Sequence, residues 1–393
     1  MTDSNRWLLP DGIDEVLPPQ AWRAESLRRK LLDLYRSWGY ELVLPPYIEY
    51  LESLLTGIGS DLDIQTFKVT DQLTGRLMGI RADMTPQVAR IDAHSLRHQG
   101  PARFCYGGSV LHTRAPNISS TRSPIQMGAE LFGCADIAAD NEIISLMLET
   151  IKLAGAERVH LDLGHVGIYR GLVSMAELRA TQEAELFDLL QSKAKADVER
   201  FVADNVTAKD VAQMLAKLVR LNGGYEVLSE AKECFKNAPQ SVLQALDMLT
   251  ELGQSLAALY PEVDLYFDLA ELRGYQYHTS MVYSAYVAGH GQAIAKGGRY
   301  DHIGEVFGRS RAATGFSADL KALIRLAPSR TDVPRAIVAP RNNAPALAAE
   351  VQRLRAKGEV VVYQLPEDCK SGSQFCCDRL LVIRDGEWVI ESI

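Results

Sequence analysis

The sequence predicts an α+β fold in which helices flank an antiparallel sheet, with a helical insertion and a small C-terminal α/β unit. Three observations lead to this prediction. Helix and strand signals alternate, but without the regular βαβα order of a doubly wound parallel sheet. Between about residues 167 and 259 only helical periodicity is present, and after residue 328 a short strand and helix pattern returns. We therefore expect a core domain, 1–328, and a C-terminal domain, 329–393.

The composition is that of an ordinary globular protein. Of 393 residues, 47% are hydrophobic and 23% charged, which excludes a disordered or low-complexity chain. The net charge of −8 disfavours general attraction to nucleic acid. The six cysteines show no CxxC spacing, no apolar signal segment opens the chain, and polar residues interrupt the uncharged stretch 274–295. We therefore expect a cytoplasmic protein without a metal site, a disulfide framework or a membrane segment.

The first part of the chain alternates helices and strands. A helix follows Pro18-Pro19 and ends at Gly39, because apolar residues recur between them at helical spacing. Thr85 as N-cap, with Pro86 at the first helical position, predicts a second helix to about His98. The predicted strands are 40–44, a hairpin of 64–70 and 76–81, and the longer pair 103–113 and 124–132. The polar loop 114–123 between the last two suits an antiparallel sheet whose loop covers a ligand.

The helical block is followed by strands and a final small unit. Helical spacing predicts helices over 177–195, 198–202, 208–221, 225–234 and 241–259. Strands resume at 264–270 and 279–287, followed by a glycine-rich segment, 296–301, a short strand near 314–316 and a helix over 317–326. Residues 328–334 have the composition of a linker. The C-terminal unit is predicted to hold strands 335–339, 359–365, 380–383 and 387–390 and helix 345–356.

Six short segments stand in the order and spacing of one family's motifs. They are Arg81-Ala-Asp-Met-Thr-Pro-Gln87, Tyr106-Gly-Gly-Ser-Val-Leu-His112, Gln126-Met-Gly-Ala-Glu-Leu-Phe-Gly133, Arg273-Gly-Tyr-Gln-Tyr-His278, Gly297-Gly-Arg-Tyr-Asp301 and Gly315-Phe-Ser-Ala-Asp-Leu320. In these segments the chain resembles the class II aminoacyl-tRNA synthetase core, and specifically the histidyl-tRNA synthetase catalytic domain, over about residues 1–328. The resemblance implies the antiparallel sheet of that class.

The positions at which the resembled family binds ATP are changed. The second-motif Phe-Arg step reads Leu111-His112, and the third-motif Gly-Leu-Glu-Arg reads Asp319-Leu-Lys-Ala322. A guanidinium that matches phosphate oxygens is thus replaced by an imidazole in one case and a methyl group in the other. Lys321 replaces a metal-binding carboxylate. Because phosphoryl and nucleotidyl transfer depends on positioning and charge stabilisation, we expect no adenylation, no catalytic residue and no cofactor.

The residues that bind the amino acid in the resembled family are retained more fully in this chain than those that bind ATP. The resemblance implies that Asp83, Thr85 and Gln126 receive the α-ammonium of histidine, that Glu130 binds its imidazole and that Arg273 faces its carboxylate. In the resembled family two adjacent tyrosines contact the histidine ring. Tyr277 matches the first of them, and His278 replaces the second. Asp83 is one methylene shorter than the family's glutamate. The predicted ligand site is therefore Asp83, Thr85, Gln126, Glu130, Arg273, Tyr277 and His278.

Structural explanations compete for these residues. Asp83 is placed to interact with the positive end of a helix dipole, and Gln126 and Glu130 alternate with apolar neighbours as on a solvated strand face. Arg273 fits a surface ion pair of little energetic consequence. Gly297-Gly298 fits a turn or a bulge, and His112 a structural histidine. The sequence alone leaves these alternatives open.

The chain resembles the regulatory subunits of the short-form ATP phosphoribosyltransferases in three respects. It retains the amino-acid ligands, it has lost the ATP ligands, and its C-terminal unit is short. The resemblance implies a non-catalytic subunit that activates the short catalytic subunit within a hetero-octamer and mediates feedback inhibition by L-histidine, in the first step of histidine biosynthesis. It also implies a homodimer through residues near 21–44. A divergent aminoacyl-adenylate ligase is the alternative, which would need arginines at 112 and 322 and a tRNA-binding module. An RNA-sensing pseudo-synthetase would need a basic face.

Overall fold

The computed structural model describes residues 7–55, 60–115, 120–275, 277–326, 335–342, 344–365 and 376–393. Contacts divide the chain into two units, residues 1–16 with 23–328, and residues 17–22 with 329–393. The strands are β1 (Glu41–Leu42), β2 (Ile48–Tyr50), β3 (Phe67–Thr70), β4 (Leu77–Ile80), β5 (Ala102–Ser109), β6 (Ile125–Phe132), β7 (His160–His165), β8 (Asn222–Gly223), β9 (Asp264–Asp268), β10 (Met281–Tyr286), β11 (Ala295–Arg299), β12 (Ala313–Asp319), β13 (Arg335–Ala339), β14 (Val360–Tyr363), β15 (Cys376–Arg384) and β16 (Glu387–Ser392).

The α-helices are α1 (Gln20–Ser37), α2 (Leu51–Leu55), α3 (Ser60–Gln65), α4 (Thr85–Arg90), α5 (Ile137–Leu153), α6 (Val166–Val173), α7 (Ala180–Gln191), α8 (Lys195–Asn205), α9 (Lys209–Leu218), α10 (Glu226–Cys234), α11 (Gln240–Leu259), α12 (Leu320–Leu323) and α13 (Pro345–Ala356). A π-helical turn, Ile91–Leu96, continues α4. None of the helices in the described part of the chain has the length and apolar content to cross a bilayer.

The larger unit is built on a sheet of nine described strands in the order β1-β5-β6-β12-β11-β10-β7-β9-β8. Neighbouring strands are antiparallel except for β1 with β5 and β7 with β9. The predicted antiparallel sheet flanked by helices is confirmed. Helix α5 packs on one face, where Ile143, Met147 and Phe316 lie in the core. The opposite face carries Glu130, Gly315 and Gly298, which stand side by side on β6, β12 and β11.

Helices α6 to α11 follow β7 in the chain, and their apolar residues explain why they form. Helix α9 has a strongly one-sided pattern, and Val211, Met214, Leu215 and Leu218 are buried along one face. Helix α11 packs on α5, α6 and β7. The smaller unit contains the four described strands β14-β13-β15-β16, and α13 contributes Leu347, Val351 and Leu354 to its core.

Several local predictions were wrong. Thr85 is not the N-cap of α4: Met84 occupies that position, and no side chain caps it. The predicted length of this helix is nearly right, because helical backbone continues from α4 through the π-helical turn to Leu96, two residues before His98. The glycine-rich segment contains strand β11, and β12 extends to Asp319, so that α12 is one turn long instead of covering 317–326. The predicted linker, 328–334, lies outside the described residues.

Candidate functional site

A cavity of about 820 Å³ lies against the sheet face that carries Glu130 and Gly315. Six of the seven predicted site residues line it: Asp83, Thr85, Glu130, Arg273, Tyr277 and His278. They come from β6, from the start of α4 and from the segment between β9 and β10, so the sheet and its connections bring together residues far apart in sequence. The seventh, Gln126, lies behind Asp83 and contacts it directly.

Glu130 lies at the buried end of this cavity, with 1% of its surface exposed. Its Oε1 accepts hydrogen bonds from the hydroxyls of Thr85 and Tyr106, both at 2.9 Å, and its Oε2 accepts one from the Tyr300 hydroxyl. Burial raises the pKa of Glu130 well above its ordinary value, although the Thr85 and Tyr106 hydrogen bonds lower it. The solvated-face explanation for Glu130 is therefore wrong. Sequence analysis did not assign Tyr106 or Tyr300 to the site.

Gln126 orients Asp83. The Gln126 Nε2 donates to Asp83 Oδ1 at 2.7 Å, and its Oε1 accepts from the Met84 N–H at 2.9 Å. The Thr85 N–H also donates to Asp83 Oδ1, at 3.0 Å. The amide of Gln126 is therefore occupied by protein groups, while Asp83 Oδ2 has no hydrogen-bond partner among the described residues.

Arg273 forms an ion pair with Glu271, a residue that the sequence analysis did not assign. Arg273 Nη2 lies 2.5 Å from Glu271 Oε2, and Arg273 Nε donates to Glu271 Oε1 at 2.9 Å. Burial favours a higher pKa for Glu271, but hydrogen bonds and charge from Arg273 outweigh it and lower the pKa. The surface ion-pair explanation for Arg273 is thus partly correct, because its side chain is 54% exposed whereas that of Glu271 is 9% exposed.

Tyr277 and His278 form a ring pair at the cavity wall, with centroids 4.2 Å apart. His278 is buried, and its Nδ1 lies 3.3 Å from the Arg273 carbonyl oxygen. Burial lowers the pKa of His278 to about 4, so the ring is neutral near pH 7. The cavity thus combines carboxylates, hydroxyls and a neutral imidazole with an arginine, a set complementary to a small zwitterion that has a ring N–H.

Glycines in the strands make room for these side chains. A Cβ at Gly315 would overlap Glu130 Oε2, and a Cβ at Gly298 would lie 2.7 Å from the His278 ring. Both glycines pair in regular antiparallel register, as does Gly297. The turn or bulge explanation for Gly297-Gly298 is therefore wrong: these positions lack side chains because their neighbours fill the space.

Other residues of the glycine-rich motif are structural. Arg299 is 3% exposed and pairs with the fully buried Asp140, with Arg299 Nη2 at 2.7 Å from Asp140 Oδ2. Asp301 Oδ2 accepts a hydrogen bond from the Thr279 hydroxyl at 2.9 Å. Tyr300 alone of these three also lines the cavity.

The positions that replace the ATP ligands have protein partners of their own. His112 Nε2 lies 2.9 Å from the Ala82 carbonyl oxygen, in line with the structural explanation for this histidine. Lys321 Nζ lies 3.0 Å from Asp14 Oδ1 and 3.2 Å from the Ser123 hydroxyl. Ala322 lies in α12. None of the three is among the described residues that line the cavity.

Comparison with known proteins gives two family matches and several close relatives. Residues 12–323 match the family model "Histidyl-tRNA synthetase", and residues 334–391 match "ATP phosphoribosyltransferase subunit HisZ C-terminal domain". The ATP phosphoribosyltransferase regulatory subunit of Thioalkalivibrio sulfidiphilus is 54% identical over 396 residues, covering 100% of both chains.

Two solved structures share the fold. An ATP phosphoribosyltransferase regulatory subunit/histidyl-tRNA synthetase from Bacillus halodurans is 26% identical with a TM-score of 0.82, covering 94% of this chain and 96% of that one. A chain of the ATP phosphoribosyl transferase (HisG:HisZ) complex from Thermotoga maritima is 17% identical with a TM-score of 0.60, covering 78% of this chain and 98% of that one.

Proposed function

The chain belongs to the family of ATP phosphoribosyltransferase regulatory subunits, and from this premise we propose that it activates a short catalytic subunit and mediates its feedback inhibition by L-histidine. This subunit does not itself catalyse a reaction. The contrast between two sets of residues in one synthetase-like core carries the proposal. The predicted amino-acid ligands surround a cavity, whereas His112, Lys321 and Ala322 replace the residues that bind ATP in the resembled family.

Histidine is proposed to bind in this cavity. Asp83 Oδ2 and the Thr85 hydroxyl are acceptors for the α-ammonium, and Gln126 holds Asp83 in place. Glu130 accepts from a ring N–H, because it is the least exposed carboxylate among the described residues that line the cavity, and the other buried one, Glu271, is paired with Arg273. Tyr277 and His278 contact the ring, and the Arg273 and Glu271 pair lies on the carboxylate side.

The assembly is proposed to be a hetero-octamer with the short catalytic subunit, built on homodimers of this chain. Leu42, Leu44 and Tyr47 support a two-fold interface near residues 21–44, because these large apolar side chains are exposed at and just beyond its end. Cytoplasmic action is supported by the free thiols Cys105, Cys134, Cys234 and Cys377, which suit a reducing compartment.

Reconstitution tests the proposal. The full chain is mixed with a short-form catalytic subunit, and phosphoribosyl transfer is measured with and without histidine. We expect co-elution, a higher rate than the catalytic subunit gives alone, and inhibition by histidine only in the complex. A rate that this chain does not change would contradict the regulatory role. Histidine-dependent exchange between pyrophosphate and ATP by the isolated chain would instead support the ligase alternative.

A further inference from the structure

Two cationic side chains, Arg273 and Lys296, are among the described residues lining the cavity, and only Arg273 has an anionic partner. Glu271 neutralises Arg273 through two short contacts, so that this pair adds no net charge to the cavity. The exposed Lys296 forms no ion pair or hydrogen bond with any described side chain. Its ammonium group therefore supplies the uncompensated positive charge among the described lining residues.

The sheet register places a hydroxyl on each side of Lys296. Ser284 on β10 is its direct partner in one neighbouring strand, and Ser317 on β12 is its direct partner in the other. Directly opposed residues of antiparallel strands project from the same face of a sheet. All three residues line the cavity. An ammonium between two hydroxyls forms a row of donors that matches the oxygens of a carboxylate.

This row lies near the amino-acid groups. The positive charge of Lys296 is one of the smaller causes, after burial, that lower the pKa of His278. The His278 Nδ1 in turn lies 3.3 Å from the Arg273 carbonyl oxygen. Gly298, two residues along β11 from Lys296, stands against the His278 ring. Lys296 thus projects from the same sheet face as Gly298, the position against which His278 packs.

We propose that Lys296, flanked by Ser284 and Ser317, binds the carboxylate of the amino acid held in the cavity. The assignment rests on the proposed function, because it names the carboxylate ligand of the same site. Asp83 supplies a carboxylate toward the ammonium of a zwitterion, and Glu130 supplies acceptor oxygens toward a ring N–H. The carboxylate needs a positive partner, and Glu271 has already neutralised Arg273.

Two ligands that differ at the carboxylate test the assignment. Calorimetric titration of the full chain with L-histidine and with L-histidinol, in which a hydroxymethyl group replaces the carboxylate, measures the preference for the carboxylate. We expect the wild type to prefer histidine by about 10- to 150-fold, the range for a charge-assisted hydrogen bond. Lys296→Met should bind both ligands about equally, and Lys296→Arg should regain part of the preference. Lys209→Met, an exposed lysine outside the cavity, should keep it.

A double variant tests the contribution of Arg273 separately from that of Lys296. Glu271→Gln combined with Arg273→Gln removes the ion pair without leaving a lone charge, and we expect most of the preference to remain. If Lys296→Met has wild-type thermal stability and an undiminished preference for histidine over histidinol, the assignment of Lys296 is overturned, whereas the proposed function stands. Absence of histidine binding to the wild type would overturn the proposed effector site and this assignment with it.

Discussion

Glu130→Gln is expected to weaken histidine binding about five- to 150-fold. The carboxylate is fully enclosed and accepts hydrogen bonds from the Thr85, Tyr106 and Tyr300 hydroxyls. Glutamine keeps the shape, but its amide NH2 is a donor and replaces one of the two acceptor oxygens of Glu130. A buried N–H left without its acceptor costs about 1–3 kcal/mol, which corresponds to that range of affinity. The three hydroxyls can rotate to accept from the amide, so the fold should tolerate the change.

Calorimetry at a pH above about 7, where free histidine has a neutral imidazole, measures this loss directly. The same variant in the reconstituted complex should raise the histidine concentration that half-inhibits turnover by a similar factor, because coupling between sites is reciprocal. Glu230→Gln, an exposed glutamate outside the cavity, is the matched control. An unchanged Kd for histidine in Glu130→Gln would refute the assignment of Glu130 to the ring.

The stability of the same variant should depend on pH. Burial raises the pKa of Glu130, so the folded protein holds this proton to a higher pH than the unfolded chain. The contribution of Glu130 is fully present below the unfolded pKa of about 4.3, and it declines as the pH rises toward the folded value. Glutamine does not titrate. Urea unfolding should therefore show Glu130→Gln gaining stability relative to the wild type as the pH rises above about 5.

Three further predictions follow from the contacts around the cavity. Gly315→Ala should displace Glu130 and reduce histidine affinity at least as much as Glu130→Gln, which calorimetry would show; unchanged affinity would contradict the steric argument. Arg299→Met should cost about 3–5 kcal/mol in urea unfolding because Asp140 is left buried without its ion-pair partner, and a loss below about 1 kcal/mol would contradict this. Burial lowers the pKa of His278 to about 4, so its contribution to stability should be lost as the pH falls from about 6.5 toward that value. In His278→Gln the free energy of unfolding should therefore fall less steeply over this pH range than in the wild type. An unchanged pH dependence would contradict the prediction.

Local sequence patterns predicted most of the fold. Clear apolar periodicity predicted strands β5 and β6, helix α11 and the β13-α13-β14 segment, and their bounds in the structure are close to the predicted ones. Helix α5 and strand β7 were not predicted, and the reason is clear for α5. Ten of its side chains, from Ala139 to Ile151, are buried on several sides, so no polar face marks it as amphipathic. The changed residues at 112, 321 and 322 could also be identified from the sequence, because their positions are fixed by neighbouring motifs.

The sequence by itself determined which residue types reach the site, whereas the tertiary structure decided what each of them does there. Thr85 looked like a helix cap, but its hydroxyl bonds to Glu130, 45 positions along the chain. Gln126 supports Asp83, and Arg273 is already paired with Glu271. These roles depend on which donors and acceptors the strand register brings within about 3 Å, and hydrogen bonding at that range is set by three-dimensional packing instead of by sequence spacing.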